Sequence, residues 1–196
     1  LVFPDRTSMA VLDADAIAGL SEDELNEIAG RFYNDTFSMD QNACACPRVV
    51  FWRESSMETG DRAADRFWNA LAQAAKRYGL TENKVSLKYG DFWRFAGSGA
   101  RIGQVRRYGN RLYVTEMKDI AGMTSEQRMR FGSFLEYHMK NGEEWINAVT
   151  EKTQALVFFG VEKQELRESV LHHRLRGTHQ IVPVGQTLWM DLVWDG

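Results

Sequence analysis

Cysteine is scarce in this chain: only Cys44 and Cys46 occur among 196 residues. A disulfide-stapled framework is therefore excluded, and a chain of this length buries a real core without staples or a structural metal. Long apolar runs are also missing. None approaches the roughly 20 residues a bilayer span requires. Positive charge is not in excess, because the net charge is -3 and Lys and Arg are scattered among acids without forming a stripe. That excludes an electrostatic nucleic-acid binder. There is no internal repeat and no low-complexity linker, so one domain over 1–196 is expected. No signal peptide is visible, and the expected location is cytoplasmic. The composition is otherwise that of an ordinary globular protein, 44% hydrophobic and 26% charged.

The chain opens at Leu1 in what reads as a strand end, a turn and a second strand, "SMAVLD" at 8–13. A fragment of a longer chain is the expectation. Ser21 with Glu24 forms a capping box ahead of Leu25, Ile28 and Phe32 at helical spacing. "RVVFWR" (48–53) is β-branched and aromatic, hence a strand. A second box, Ser55 with Glu58, precedes a helix whose apolar face is Phe67, Leu71, Ala74 and Tyr78, with Gly79 as its stop. "VRRYGNRLYVTEM" predicts two strands about a Gly109–Asn110 turn. "TSEQRMRFGSFLEYHMKN" opens like a helix, while "SFLEYHM" suits a strand equally well. Next come a short helix in "GEEWINAVTEK", a buried strand in "QALVFFG" and an amphipathic helix closed by Gly177. "HQIVPVG" and "TLWMDLVW" are strand-like. Strands alternating with helices in the last third argue for βαβ units and a largely parallel sheet.

The two cysteines lie in "DQNACACPRVVFW", residues 40–52. A structural zinc needs about four ligands in paired spacing, and two cysteines with four scattered histidines supply no such pattern. A disulfide between Cys44 and Cys46 would close a very tight ring. Two readings remain: small buried hydrophobes, or a mounted nucleophile. Asp40, Gln41 and Asn42 bring hydrogen-bonding groups, Ala43 and Ala45 leave the backbone accessible, and Pro47 ends the turn where a strand begins. Such a mount suits an exposed thiol, which can attack a thioester or aldehyde carbonyl.

"FSMDQNACACPRVVFW" resembles the catalytic-cysteine segment of LuxC-type acyl-CoA reductases, in the aldehyde dehydrogenase superfamily. "IVPVGQTLWMDLVWDG" is similar to the family's C-terminal signature, and "DRTSMAVLDADAI" to the segment leading into the catalytic domain. The resemblance spans Asp5 to Gly196 and implies a three-layer α/β fold, an aldehyde-dehydrogenase-like catalytic domain. It implies that Cys44 takes the acyl group from a fatty acyl-CoA, and that NADPH reduces the acyl-cysteine to a long-chain aldehyde. It places the backbone N–H of Cys44 at the developing oxyanion, with Asn42 and Gln41 as supporting donors or, equally, as turn residues capping the backbone. NADPH is expected on an N-terminal Rossmann-like domain outside this chain, because no G-x-G-x-x-G run follows a strand and the Gly-rich "FAGSGARIG" (95–103) reads as a surface loop. Implied partners are an acyl-protein synthetase subunit and further copies of the enzyme.

Two departures matter. Aldehyde dehydrogenases carry a general-base Glu shortly before the strand that corresponds to "SMAVLD"; here "VFPDRTS" has no carboxylate at that place, and Asp5 reads as a turn residue. That favours acyl reduction over aldehyde oxidation, since water would destroy the thioester. Cys46 stands where the family usually has Ser or Thr, and reads as a passenger. His172 and His173, near a helix end, are a catalytic acid or a solvated pair favoured by the helix dipole. Rival functions are an aldehyde dehydrogenase, a condensing enzyme, for which "RGTHQ" (176–180) is a poor histidine motif, and a non-catalytic docking domain.

Overall fold

A computed structural model describes residues 6–120 and 129–189. Seven strands form one sheet in the order β3-β4-β5-β2-β1-β6-β7. They are β1 (Thr7–Asp13), β2 (Pro47–Arg53), β3 (Ile102–Tyr108), β4 (Leu112–Met117), β5 (Ser133–His138), β6 (Thr153–Phe159) and β7 (Gln180–Pro183). Every neighbouring pair is parallel except the outermost hairpin, β3 with β4. The helices are α1 (Ala14–Gly19), α2 (Glu22–Thr36), α3 (Met57–Ala74), α4 (Glu82–Ala96) and α5 (Lys163–His172).

The central strands are buried on both faces, and their alternation divides the core in two. Ala10, Leu12, Val50, Trp52 and Phe134 pack against α1, α2 and α3 through Ile17, Phe32, Phe67 and Trp68. Met9, Val11, Phe51, Leu135 and Leu156 face the other way, toward Phe95 of α4 and Leu166 of α5. The result is the expected three-layer α/β arrangement with a largely parallel sheet. In the first layer the fully buried Glu136 accepts from the indole N–H groups of Trp52 (3.0 Å) and Trp68 (2.7 Å) and pairs with Arg106, so its charge is satisfied.

Several local expectations change. Ser56, not Ser55, caps α3 by accepting from the Thr59 N–H at 3.2 Å. Ser55 is drawn away by Asp15, to which its N–H and hydroxyl donate at 3.0 and 2.7 Å. α3 ends at Ala74 in a 3₁₀ turn, so Gly79 does not stop it. α5 ends at His172, with His173 as its cap, and Gly177 (φ +101) serves a later turn, where a Cβ would lie 2.2 Å from the Thr150 carbonyl oxygen. The short helix expected in "GEEWINAVTEK" is present, as a 3₁₀ helix over Glu144–Ala148. "SFLEYH" is strand β5, whereas 121–128 and 190–196 lie outside the described residues. Thr187 to Trp189 are turn and irregular backbone, not strand.

Candidate active site around Cys44

α2 carries the chain to the amino end of β1 and β2, where it must reverse before the sheet. A 3₁₀ turn at Phe37–Met39 is followed by two left-handed residues, Asp40 (φ 54) and Gln41 (φ 58). Left-handed backbone in residues other than glycine costs on the order of 1 kcal/mol each, so it persists only where neighbours hold it. Asp40 is held by its carboxylate, which accepts from Tyr78 Oη at 2.6 Å and Lys84 Nζ at 2.7 Å. Burial opposes its ionisation, but the Lys84 and Tyr78 hydrogen bonds outweigh that and keep its pKa below the usual carboxylate range.

Gln41 is wholly buried. Its Nε2 donates to Pro47 O (3.2 Å) and Ser133 O (2.8 Å), and its Oε1 accepts from the N–H groups of Gly132 (3.0 Å) and Ser133 (3.2 Å). Both amide hydrogens are thereby committed, so Gln41 offers no donor to a substrate and instead stitches the cysteine loop to β5. Gly132 is obligatory in this contact: its φ is +81, and a Cβ would lie 2.2 Å from the Arg111 carbonyl oxygen. Asn42 is exposed.

Residues 43–46 then make a turn closed by the Cys46 N–H on Ala43 O at 3.1 Å. Cys44, at its apex, is partly exposed, while Cys46 is fully buried. The Cys46 thiol donates to Thr36 O at 3.7 Å, and burial pushes its pKa up to about 11. One cysteine is thus partly exposed and the other packed. Among the described residues the Cys44 N–H has no acceptor, as an oxyanion donor requires.

The sequence reading missed two buried polar residues, one holding this loop and one at the end of α2 before it. Ser8 on β1 donates from Oγ to Cys44 O at 2.7 Å and accepts from the Ala155 N–H at 3.0 Å. Asp35 accepts from the N–H groups of Gly185 (2.6 Å) and Thr187 (3.1 Å) and from Thr187 Oγ1 (2.9 Å). It fastens "PVGQT" to the last turn of α2. Each residue is a polar interruption beside an apolar run, and that is the only sequence signal either gives. His172 and His173 are exposed at the end of α5, edge-to-face at 4.9 Å.

A dinucleotide cradle needs a strand, a glycine-rich turn and a helix N-terminus in that order. "FAGSGARIG" has the reverse order, closing α4 and leading into the edge strand β3. The turn from β6 into α5 contains Gly160 alone and has Glu162 as the helix cap. Among the described residues no strand-to-helix turn fits a dinucleotide. Nor does any group of three or more His, Cys, Asp or Glu among them have metal-binding geometry.

Residues 1–86 match the family model of acyl-CoA reductase (LuxC). No curated protein matches the chain. Among solved structures, it resembles PutA of Anabaena variabilis, assigned as an aldehyde dehydrogenase, at 17% identity and TM-score 0.55, covering 95% of this chain and 42% of that one. It also resembles salicylaldehyde dehydrogenase from Pseudomonas putida G7, at 12% identity and TM-score 0.57, covering 95% and 39%. The resemblance to LuxC-type acyl-CoA reductases therefore stands for residues 1–86, and the fold is that of the aldehyde dehydrogenases. The chain spans about two fifths of the length of these structures.

Proposed function

We propose that this chain is the catalytic-cysteine portion of a fatty acyl-CoA reductase. The observation that carries this reading is the presentation of Cys44. The residue is partly exposed at the apex of a turn whose flanks are clamped by Asp40, Gln41 and Cys46, and its N–H is uncommitted. The match over residues 1–86, which includes that turn, supports the same reading.

In the acylation half-reaction the Cys44 thiolate attacks the carbonyl carbon of a fatty acyl-CoA. The carbonyl oxygen becomes an oxyanion facing the Cys44 N–H, with the exposed Asn42 carboxamide free to assist. Collapse breaks the bond to CoA, which leaves as its thiolate, and the acyl group stays on Cys44. NADPH, when bound, supplies the hydride that takes a thioester to a long-chain aldehyde. The described residues do not fit that cofactor, so its binding belongs mainly to residues other than these. By the same resemblance, the partners are a fatty acyl-CoA, an acyl-protein synthetase subunit and further copies of the enzyme, in the cytoplasm. No helix of the described residues is long and apolar enough to cross a membrane.

The test is covalent labelling by a radiolabelled long-chain acyl-CoA. Cys44→Ala should abolish incorporation, and Cys46→Ala should leave most of it. Retention of label by the Cys44 variant with loss from the Cys46 variant would reverse the assignment.

A further inference from the structure

The turn that presents Cys44 holds a second free donor, and its direction is set from β1. Cys44 and Ala45 occupy the two central positions of the turn closed by the Cys46 N–H. Neither has positive φ. A turn of this kind closes through its first carbonyl and its fourth N–H, leaving both central N–H groups without a partner inside it. Among the described residues neither finds one elsewhere.

The peptide linking the two is fixed by Ser8, which is fully buried between β2 and β6. A serine hydroxyl has one hydrogen to give. The Ala155 N–H at 3.0 Å takes an acceptor site of Oγ, so the hydrogen goes to Cys44 O at 2.7 Å. Holding that carbonyl against β1 also aims the other end of the peptide. In a planar trans unit the C=O and the following N–H point in opposite directions. The Ala45 N–H is thereby turned away from Ser8. Ala45 is buried, at 9% exposure, but carries only a methyl side chain.

We infer that Ser8 is a positioning residue for acyl transfer: it orients the Cys44–Ala45 peptide so that the Ala45 N–H is a second oxyanion donor, next to the N–H of Cys44. This rests on Cys44 being an acyl acceptor but not on the identity of the acyl donor. In the tetrahedral intermediate the former carbonyl oxygen carries the negative charge and accepts from both N–H groups. When CoA departs, the carbonyl re-forms and the charge leaves with the CoA sulfur.

The experiment compares two reactions of Cys44 in the full chain. Acylation by p-nitrophenyl acetate develops an oxyanion and releases a burst of nitrophenolate. Alkylation by iodoacetamide displaces iodide without forming one. Ser8→Ala should slow the burst on the order of 10²-fold, the loss typical of an oxyanion donor, while leaving alkylation nearly unchanged. Replacing Ala45 by lactic acid, which exchanges its N–H for an oxygen, should have the same selective effect. It decides the matter alone if Ser8→Ala does not fold. Equal loss of both reactions in Ser8→Ala would reduce Ser8 to a structural role. Either a normal burst in the lactate variant or no burst at Cys44 in the unaltered chain would also overturn the inference. A burst in the unaltered chain that Ser8→Ala slows selectively, alongside failure of the unaltered chain to accept acyl groups from acyl-CoA, would sink the proposed function and support the inference on Ser8.

Discussion

Cys44 and Cys46 are two residues apart, yet the turn leaves one partly exposed and sends the other's thiol into the interior against Thr36. Burial favours the neutral thiol, so the pKa of Cys46 rises from 9.0 to about 11 in the folded chain. A group whose folded pKa is raised contributes stability that is fully present below its unfolded value and lost as the pH climbs through its folded value. For Cys46 the window runs from the ordinary value of 9.0 up to about 11. Urea unfolding of the unaltered chain and of Cys46→Ala across this window isolates the contribution. The stability difference should shrink by roughly 2–3 kcal/mol in total, at 1.36 kcal/mol per pKa unit. A difference that stays flat from pH 8 to 11 would show that Cys46 is not buried as described. The sequence could not distinguish the two fates. Both cysteines follow an alanine, and what separates them is which central or closing position of the turn each takes.

Among the elements, the strands were the most legible. "SMAVLD", "RVVFWR" and "QALVFFG" are apolar because β1, β2 and β6 are covered on both faces, and the sequence shows that directly. α4 drew no expectation, and the reason is visible in its side chains. It exposes Leu87, Tyr89 and Trp93 and buries Lys88, the reverse of the usual helical pattern. Lys88 is the informative residue. Its Nζ donates to Arg111 O at 3.1 Å and Phe131 O at 2.8 Å, joining the β3–β4 hairpin to the loop that receives Gln41. Burial, followed by the nearby Arg107 charge, lowers its pKa to about 7. A depressed folded pKa gives stability that is complete above the unfolded value, about 10.4 for Lys, and is lost as pH falls toward the folded one. Relative to Lys88→Met, the unaltered chain should therefore gain stability as pH rises from 7 to about 10. Thermal melts of the pair at several pH values would reveal the trend, and a gain on acidification would contradict it. The candidate site was legible to the same degree as the elements. Cys44 stood out by its neighbours, but Gln41 read equally as an oxyanion donor or a turn residue, because nothing local shows that Ser133, which it binds, lies 92 positions away on β5.

At the scale of the whole molecule, the sheet gathers the Cys44 turn and Ser8 at its amino-terminal edge, and this bears on the fate of an acyl-enzyme. Hydrolysis of a thioester is accelerated by a carboxylate free to take a proton from water, a contribution of about 10²–10⁴-fold. Two described carboxylates flank the turn along the chain, and both are committed. Asp40 is paired with Lys84 and Tyr78, and Asp35 accepts three hydrogen bonds from Gly185 and Thr187. Burial, the largest influence on Asp35, also raises its pKa above the ordinary carboxylate value, but it sits inside the clasp and not at the surface where water meets Cys44. Asp5, the carboxylate nearest the expected place of a hydrolytic base, lies outside the described residues. An acyl group on Cys44 should then outlast one in a site equipped with a base by a factor of the same order, 10²–10⁴. The measurement is direct: load the chain with a radiolabelled fatty acyl group, remove excess acyl-CoA and follow protein-bound label at neutral pH without reductant. Label should persist for many minutes. Prompt release as free fatty acid would reveal a working base, and aldehyde oxidation would replace acyl reduction as the better account of this site.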